Sequence, residues 1–467
     1  MGMQMSNHEY RDRFAACIVA MFFLFNALDA AGEPGATPFD DPLLASLIEE
    51  ALEKNPALMA AREAAAAARF RPPQARSLPN PMFLTEYTND GLSPSLGSQE
   101  MTTLAFMWGQ ELPYAGKRGL RADALARAAD QLDQQLERVK LSIAAAVKRA
   151  YYDLLLSRDL LGLIREQEEI WRQTESVIRA RYAVGRGSQP DVLRAQVEVV
   201  RIERLRLEQE AEAQIRVAEI NQLLDRPSGT PLATGARRLA LSPFDEGLEQ
   251  TLERLETLSP EIKSAALGVA RSELGIALAQ KEFKPDFLVQ GGYMNRGGLD
   301  PMWVAGLGLS VPLYRERLKS GLAEAQADSR SNERLLDWVR LMLRFRTEQR
   351  LAQLEAAERI AVLYSGGVIP QDRLSVDASM SSYQTGQTPF VTVLETLTTL
   401  YSDLATHLQV LANCEKIRAS LEEASLEETS SLSIGGGAMP SAGGGMTTTG
   451  TMGGGEASSG SRSMSNR

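Results

Sequence analysis

Soft sulfur is the most conspicuous ligand chemistry in this chain. Met439, Met446, Met452 and Met464 lie in one glycine-rich stretch, and thioethers suit Cu(I) or Ag(I). Their spacings of 7, 6 and 12 residues match no compact metal site, so they read as methionines of a low-complexity tail. Other chemistry is sparse. The only histidines are His8 and His407, and the only cysteines are Cys17 and Cys414. No phosphate-cradling glycine loop or Cys/His cluster occurs. The pattern is that of a non-enzyme with no catalytic residues, no cofactor and no resident metal.

A repeated signal organises the chain. Tyr182-Ala183-Val184-Gly185-Arg186-Gly187-Ser188-Gln189-Pro190-Asp191-Val192-Leu193 and Tyr383-Gln384-Thr385-Gly386-Gln387-Thr388-Pro389-Phe390-Val391-Thr392-Val393-Leu394 place Tyr, Gly, Val and Leu at one constant offset of 201 positions. Such a repeat marks an internal duplication. In each copy a helical pattern stops at a glycine able to take the left-handed conformation, and a new helix begins within a few residues. Ser188 and Thr388 are the expected capping hydroxyls, each followed by a proline in the first turn. Each unit is therefore the tip of a helical hairpin.

Composition favours long helices. Aromatic residues are only 6% of the chain, which leaves little material for a thick globular core. The net charge of −10, with no basic cluster, argues against nucleic acid as a partner. Arg11 and Arg13 precede an apolar run from Phe14 to Leu28 and small residues at Ala30 and Ala31. This is the pattern of a secretory signal over residues 1–30, the alternative being a retained membrane anchor. Cys17 leaves with such a signal, so no disulfide is expected within the mature chain.

Four regions follow: the signal, a first repeat over 31–258, a second over 259–429 and a Gly/Ser/Met-rich tail over 430–467 that lacks the apolar content to fold alone. In the first repeat a helix is expected from Leu43 to Arg71, ended by Pro72 and Pro73, then strands near Met82 to Thr88 and Met101 to Glu111. A helix from Lys117 to Tyr182 would run about 100 Å. It returns from Pro190 to Leu224, and a shorter helix spans Asp245 to Leu258. The second repeat has a helix to Phe283, strands near Asp286 to Tyr293 and Trp303 to Val311, a long helical pattern from Tyr314 toward Tyr383 marred by Gly366, Gly367 and Pro370, and a last helix to about Glu428.

The strands alternate between a bulky apolar face and a small or polar one, with the length of transmembrane β-strands. Four strands cannot close a barrel, and open edges are not tolerated in hydrocarbon. Three copies would supply twelve strands. The rival reading is a soluble helical scaffold with two surface hairpins.

The mature chain to about Glu428 resembles the TolC family of outer-membrane efflux channels. The likeness is carried by the duplicated strand pair and hairpin, the Tyr-x-x-Gly tips, and Gln110-Glu111-Leu112-Pro113-Tyr114-Ala115-Gly116-Lys117-Arg118, which is similar to the heavy-metal branch. Its weaker counterpart is Ser310-Val311-Pro312-Leu313-Tyr314-Arg315. The resemblance implies a mainly α protein with a membrane β-barrel. It would be a homotrimer with a twelve-stranded barrel in outer-membrane lipid and a periplasmic helical tunnel. The implied partners are a periplasmic adaptor and an inner-membrane transporter of the RND type. Drug efflux and type I protein secretion are alternative duties of such a duct. A periplasmic adaptor is a further rival, although adaptors carry one hairpin.

For individual residues the resemblance implies adaptor-docking tips at Val184-Gly185-Arg186 and Thr385-Gly386-Gln387. It also implies a tunnel constriction involving Asp191, Tyr383, Thr392 and Glu395. Thr392 stands at one of the family's acidic positions, and Thr388 replaces a basic partner. Carboxylates facing a three-fold lumen would form rings that concentrate cations. Asp191 also fits an ordinary helix-start acid three residues after Ser188, and Glu395 a solvated helix face.

Overall fold

The computed structural model describes residues 41–90, 92–95, 99–232, 238–241 and 247–423. These all fall in one unit, Met1–Thr429. The expected signal with Cys17, the glycine-rich tail with its methionines, and the end of the last helix lie outside the described residues.

The chain begins with three short helices, α1 (Pro42–Lys54), α2 (Pro56–Arg69) and α3 (Arg71–Arg76). One helix was expected here. It breaks because the Asn55 side chain accepts from Ala57 N at 3.0 Å and Leu58 N at 3.3 Å, restarting the helix with Pro56 in its first turn. Pro72 and Pro73 likewise open α3 rather than end α2, since an N-terminal proline sacrifices no hydrogen bond.

Strands β1 (Met82–Thr88), β2 (Thr103–Leu112), β3 (Asp286–Arg296) and β4 (Leu299–Ser310) form one antiparallel sheet in chain order. Thr85, Phe106, Tyr293 and Trp303 lie in one cross-strand row, with the Tyr293 and Trp303 ring centroids 5.0 Å apart. Their face also carries Phe83 and Leu307, 75% and 83% exposed. The opposite face has smaller groups, where Gly292, Gly306 and Gly308 sit opposite Met107, Gln290 and Leu288. Within the chain β1 and β4 are the outer strands, each with one edge unpaired.

The sheet passes directly into helices. After β2, Gly116 adopts φ 91° and turns the chain into α4 (Lys117–Ala183), which at 1.5 Å per residue extends about 100 Å. Lys117, only 1% exposed, places its ammonium 3.2 Å from the Glu282 carboxylate, 3.0 Å from that of Asp286 and 3.2 Å from the Lys284 carbonyl. The Tyr114 N–H donates to Asp286 at 2.6 Å. This elbow fastens α4 to the loop between α7 (Pro260–Lys281) and β3.

α4 returns as α5 (Gln189–Leu223), and α6 (Leu248–Leu258) precedes α7. Asp245, the expected start of α6, lies outside the described residues. The second hairpin rises through α8 (Arg315–Leu363), a π-helical turn (Tyr364–Val368) and α9 (Ile369–Thr385), and returns as α10 (Phe390–Glu423). The π turn answers Pro370, which has no N–H to give the Gly366 carbonyl. The helix widens so that Ile369 N–H reaches back to the Tyr364 carbonyl. Away from the tips, half-buried ion pairs join α4 to α10 through Arg149–Glu423 at 2.9 Å and Lys416–Asp153 at 2.9 Å, and α8 to α10 through Arg418–Glu358 at 2.9 Å.

Candidate functional site: the paired hairpin tips

Both tips are built by the same backbone device. At the first, Gly185 takes φ 72°, its N–H donates to the Tyr182 carbonyl at 3.0 Å, and Arg186 N–H donates to the Arg181 carbonyl at 2.9 Å. At the second, Gly386 takes φ 79°, its N–H donates to Tyr383 at 3.0 Å, and Gln387 N–H donates to Ser382 at 2.9 Å. These paired bonds satisfy the last carbonyls of each helix, and the left-handed residue favours glycine. Val184, Arg186, Thr385 and Gln387 are left exposed around the two glycines.

The returning helices start differently. The Ser188 hydroxyl accepts from Asp191 N–H at 3.4 Å, a normal cap. Thr388 departs from its expected role: its Oγ1 is buried with no hydrogen-bond partner. The Thr392 N–H bonds instead to the Pro389 carbonyl at 3.2 Å.

Beneath the tips the two hairpins share one apolar core. Trp171 and Ile178 of α4, Ala195 and Ile202 of α5, Tyr383 of α9, and Phe390, Val393 and Leu397 of α10 are all buried in it. Trp171 meets Phe390 edge-on at 6.3 Å, and Tyr383 lies 5.8 Å from Phe390. The Tyr383 ring, 5% exposed, is therefore a core residue as much as a tip residue.

One side chain escaped sequence reasoning. Arg181, at the end of α4, lays its guanidinium 4.5 Å over the Tyr383 ring. It donates to the Tyr383 carbonyl, and to the Gln384 carbonyl at 3.1 Å. A cation at the C-terminus of a helix satisfies carbonyls and opposes the helix dipole. Here that helix belongs to the other hairpin. The available signal was the broken repeat, since Arg181 aligns with Ser382.

Asp191 is half-buried on the same side. Burial raises the Tyr383 phenol above its ordinary range; the Arg181 charge lowers it and the Asp191 charge raises it further. The structure thus brings Arg181 onto Tyr383, with Asp191 near enough for its charge to act on the same phenol. Thr392 is half-buried and Glu395 exposed on α10. Among the described residues no hydrogen bond or ion pair joins either side chain to Asp191 or Tyr383. The arrangement holds two hairpins side by side and has no nucleophile–base pair.

No helix among the described residues is long and apolar enough to cross a membrane. The outer membrane efflux protein family model matches residues 47–226 and 251–425. The chain belongs to this family. The TolC-family resemblance read from the sequence stands, and the outer membrane efflux protein family is one of transport proteins rather than enzymes. The chain is 32% identical over 259 residues to Protein CyaE of Bordetella pertussis, a match covering 51% of this chain and 53% of that relative, about half of each. It is 23% identical over 358 residues to the cobalt-zinc-cadmium resistance protein CzcC of Cupriavidus metallidurans, covering 75% of this chain and 81% of CzcC. Among solved structures, the outer-membrane channel OprN matches with a TM-score of 0.69 at 18% identity, covering 83% of this chain and 90% of that one. The fold of this efflux-family member is therefore that of a helix-rich outer-membrane channel with a small antiparallel sheet.

Proposed function

We propose that this protein is the outer-membrane exit duct of a tripartite efflux system. Three copies would pool their sheets into a twelve-stranded barrel and their hairpins into a periplasmic tunnel. The observation that carries this reading is the sheet. It has one exposed aromatic face and two unpaired edges, and a spanning sheet in lipid must close. The two repeats would be duplicates, each giving two strands and one hairpin.

The tips at Val184-Gly185-Arg186 and Thr385-Gly386-Gln387 would dock a periplasmic adaptor, itself joined to an inner-membrane transporter, of the RND class by the resemblance above. Asp191, Tyr383, Thr392 and Glu395 would line the narrow end of the tunnel. Heavy-metal cations are the proposed cargo, supported by the likeness to CzcC, whose name records cobalt, zinc and cadmium resistance.

The test is growth of a deletion strain on copper, silver, zinc, cobalt and nickel, and on dyes, detergents and antibiotics, with plasmid complementation and fractionation of the protein. A heat-resistant trimer in the outer-membrane fraction with complemented metal sensitivity is expected. Sensitivity to organic compounds alone would overturn the metal cargo, and a monomer in the soluble fraction would overturn the duct.

A further inference from the structure

Sulfur gathers on one face of the sheet. Opposite the aromatic row stand Met107 of β2, Met294 of β3 and Met302 of β4. Met294 and Met302 are direct cross-strand partners, a relation that sets their β-carbons about 5 Å apart. Met107 pairs with Gly292 and Ala105 with Met294. Met107 and Met294 thus stand on one diagonal of a four-residue block, and Ala105 and Gly292 on the other. A diagonal of this kind spans about 7 Å, within reach of long side chains.

The small corners make the room. Met107 lays its thioether across Gly292, where a β-carbon would collide with the sulfur. Ala105 is buried beside it. Three unbranched side chains, each with three rotatable bonds, therefore stand over a floor of Ala105 and Gly292 and can bring their sulfurs together with no movement of the backbone.

The ordinary use of methionine is to fill a gap in an apolar core. This face is not such a core. Met302 is 48% exposed, Met107 and Met294 are half-buried, and Glu86 lies on the same row as Met294 and Met302. Among the described residues no group of three His, Cys, Asp or Glu side chains is placed to hold a metal. Thioether sulfur is the ligand chemistry that remains.

We propose that Met107, Met294 and Met302 form a thioether site for a soft monovalent cation, Cu(I) or Ag(I). Thioethers suit soft ions, whereas hard ions such as Mg(II) take oxygen ligands. A thioether has no proton to lose, so the site binds without the pH dependence of thiol, imidazole or carboxylate ligands. The inference rests on the duct reading for its place: three copies would set three such sites on the inner wall of the barrel, the aromatic face being turned to lipid. It narrows the cargo from metal cations in general to soft ones. Conduction needs sites that an ion enters readily and leaves again, and neutral ligands on an open face meet that need.

The experiment uses the full chain in lipid nanodiscs, with Cys17→Ser and Cys414→Ser to remove thiols and Met439→Leu, Met446→Leu, Met452→Leu and Met464→Leu to silence the tail. Silver ion alone, which needs no reductant, is titrated by equilibrium dialysis, and its ligand shell is read by X-ray absorption. One silver per chain in a sulfur shell is expected, undisturbed by Mg(II) and with the same affinity at about pH 5.5 and about pH 8. Met107→Leu, Met294→Leu and Met302→Leu conserve volume. Losing even an outer partner of a metal site costs about tenfold in affinity, and each of these variants should lose at least as much. Met59→Leu, on α2, should change nothing. A shell of oxygen or nitrogen, or a Met294→Leu/Met302→Leu protein that binds silver as its parent does, would overturn the site. Heat-resistant migration of the same samples reads the duct separately. Trimers that bind no silver overturn the site alone, and a monomer that binds silver through these sulfurs keeps the site and overturns the duct.

Discussion

Arg181 and Tyr383 make opposite predictions from the same contact. Arg181→Ala removes a stacked guanidinium and its two carbonyl bonds, and should lower stability by about 1.5 to 3 kcal/mol in denaturant unfolding. Hydrogen exchange should rise at both tips. The Tyr383 hydroxyl is buried without a partner, so Tyr383→Phe should leave stability unchanged or raise it by about 1 kcal/mol. A clear loss in the Phe variant would show that the hydroxyl has a partner the structure lacks. What could be read at this scale was what is local. Gly185 and Gly386 announce a left-handed helix end within four residues. Arg181 could not be read, because its partners lie some two hundred positions away and only the asymmetry of the repeat hinted at it. Thr388 misled for a related reason: a hydroxyl before proline looks like a cap, yet here the neighbouring core buries it.

Among the elements, the elbow at Lys117 is the most exposed to test. Burial pushes Asp286 upward, but the Tyr114 N–H, the Lys117 hydrogen bond and the Lys117 and Arg121 charges outweigh it and hold the carboxyl below its ordinary range. Lys117→Met takes the ammonium from Asp286, while Glu282 keeps Arg121 at 3.0 Å, and should cost about 1.5 to 3 kcal/mol in thermal or denaturant unfolding. A depressed carboxyl contributes stability above its unfolded pKa and loses it as pH falls through the folded value. The wild-type advantage over Lys117→Met should therefore shrink below about pH 4. An advantage unchanged in acid would place the Lys117 effect in packing alone. The strands and long helices were legible to within a few residues because their periods are strong. The break at Asn55 was not, although Asn-Pro is a visible restart. Its Nδ2 also donates to the Leu223 carbonyl at 2.9 Å, a tie that no local pattern reveals.

At the scale of the molecule, the sheet sets the terms. Leu307→Arg puts a cation on its exposed apolar face and, if that face meets lipid near the midplane, should cost about 2 to 4 kcal/mol. The expected readout is loss of heat-resistant trimer from the outer-membrane fraction, while an Arg variant that assembles as wild type would remove that face from the bilayer. The expectation of further copies rests on the strand count alone, whereas the way the hairpins share a core beneath the tips left no local mark in the sequence. The π turn reaches across this scale too. Along α8 the buried positions Leu354, Ala357 and Ala361 would continue to 365 and 368, yet Ser365 and Val368 are exposed and Ile369 is buried. One residue has been added to the helical count, a rotation of about 100° at 3.6 residues per turn. The azimuth of the second tip is thus dialled nineteen residues upstream of Tyr383, and removing either glycine of the turn would swing the tyrosine off Arg181 without touching the tip at all.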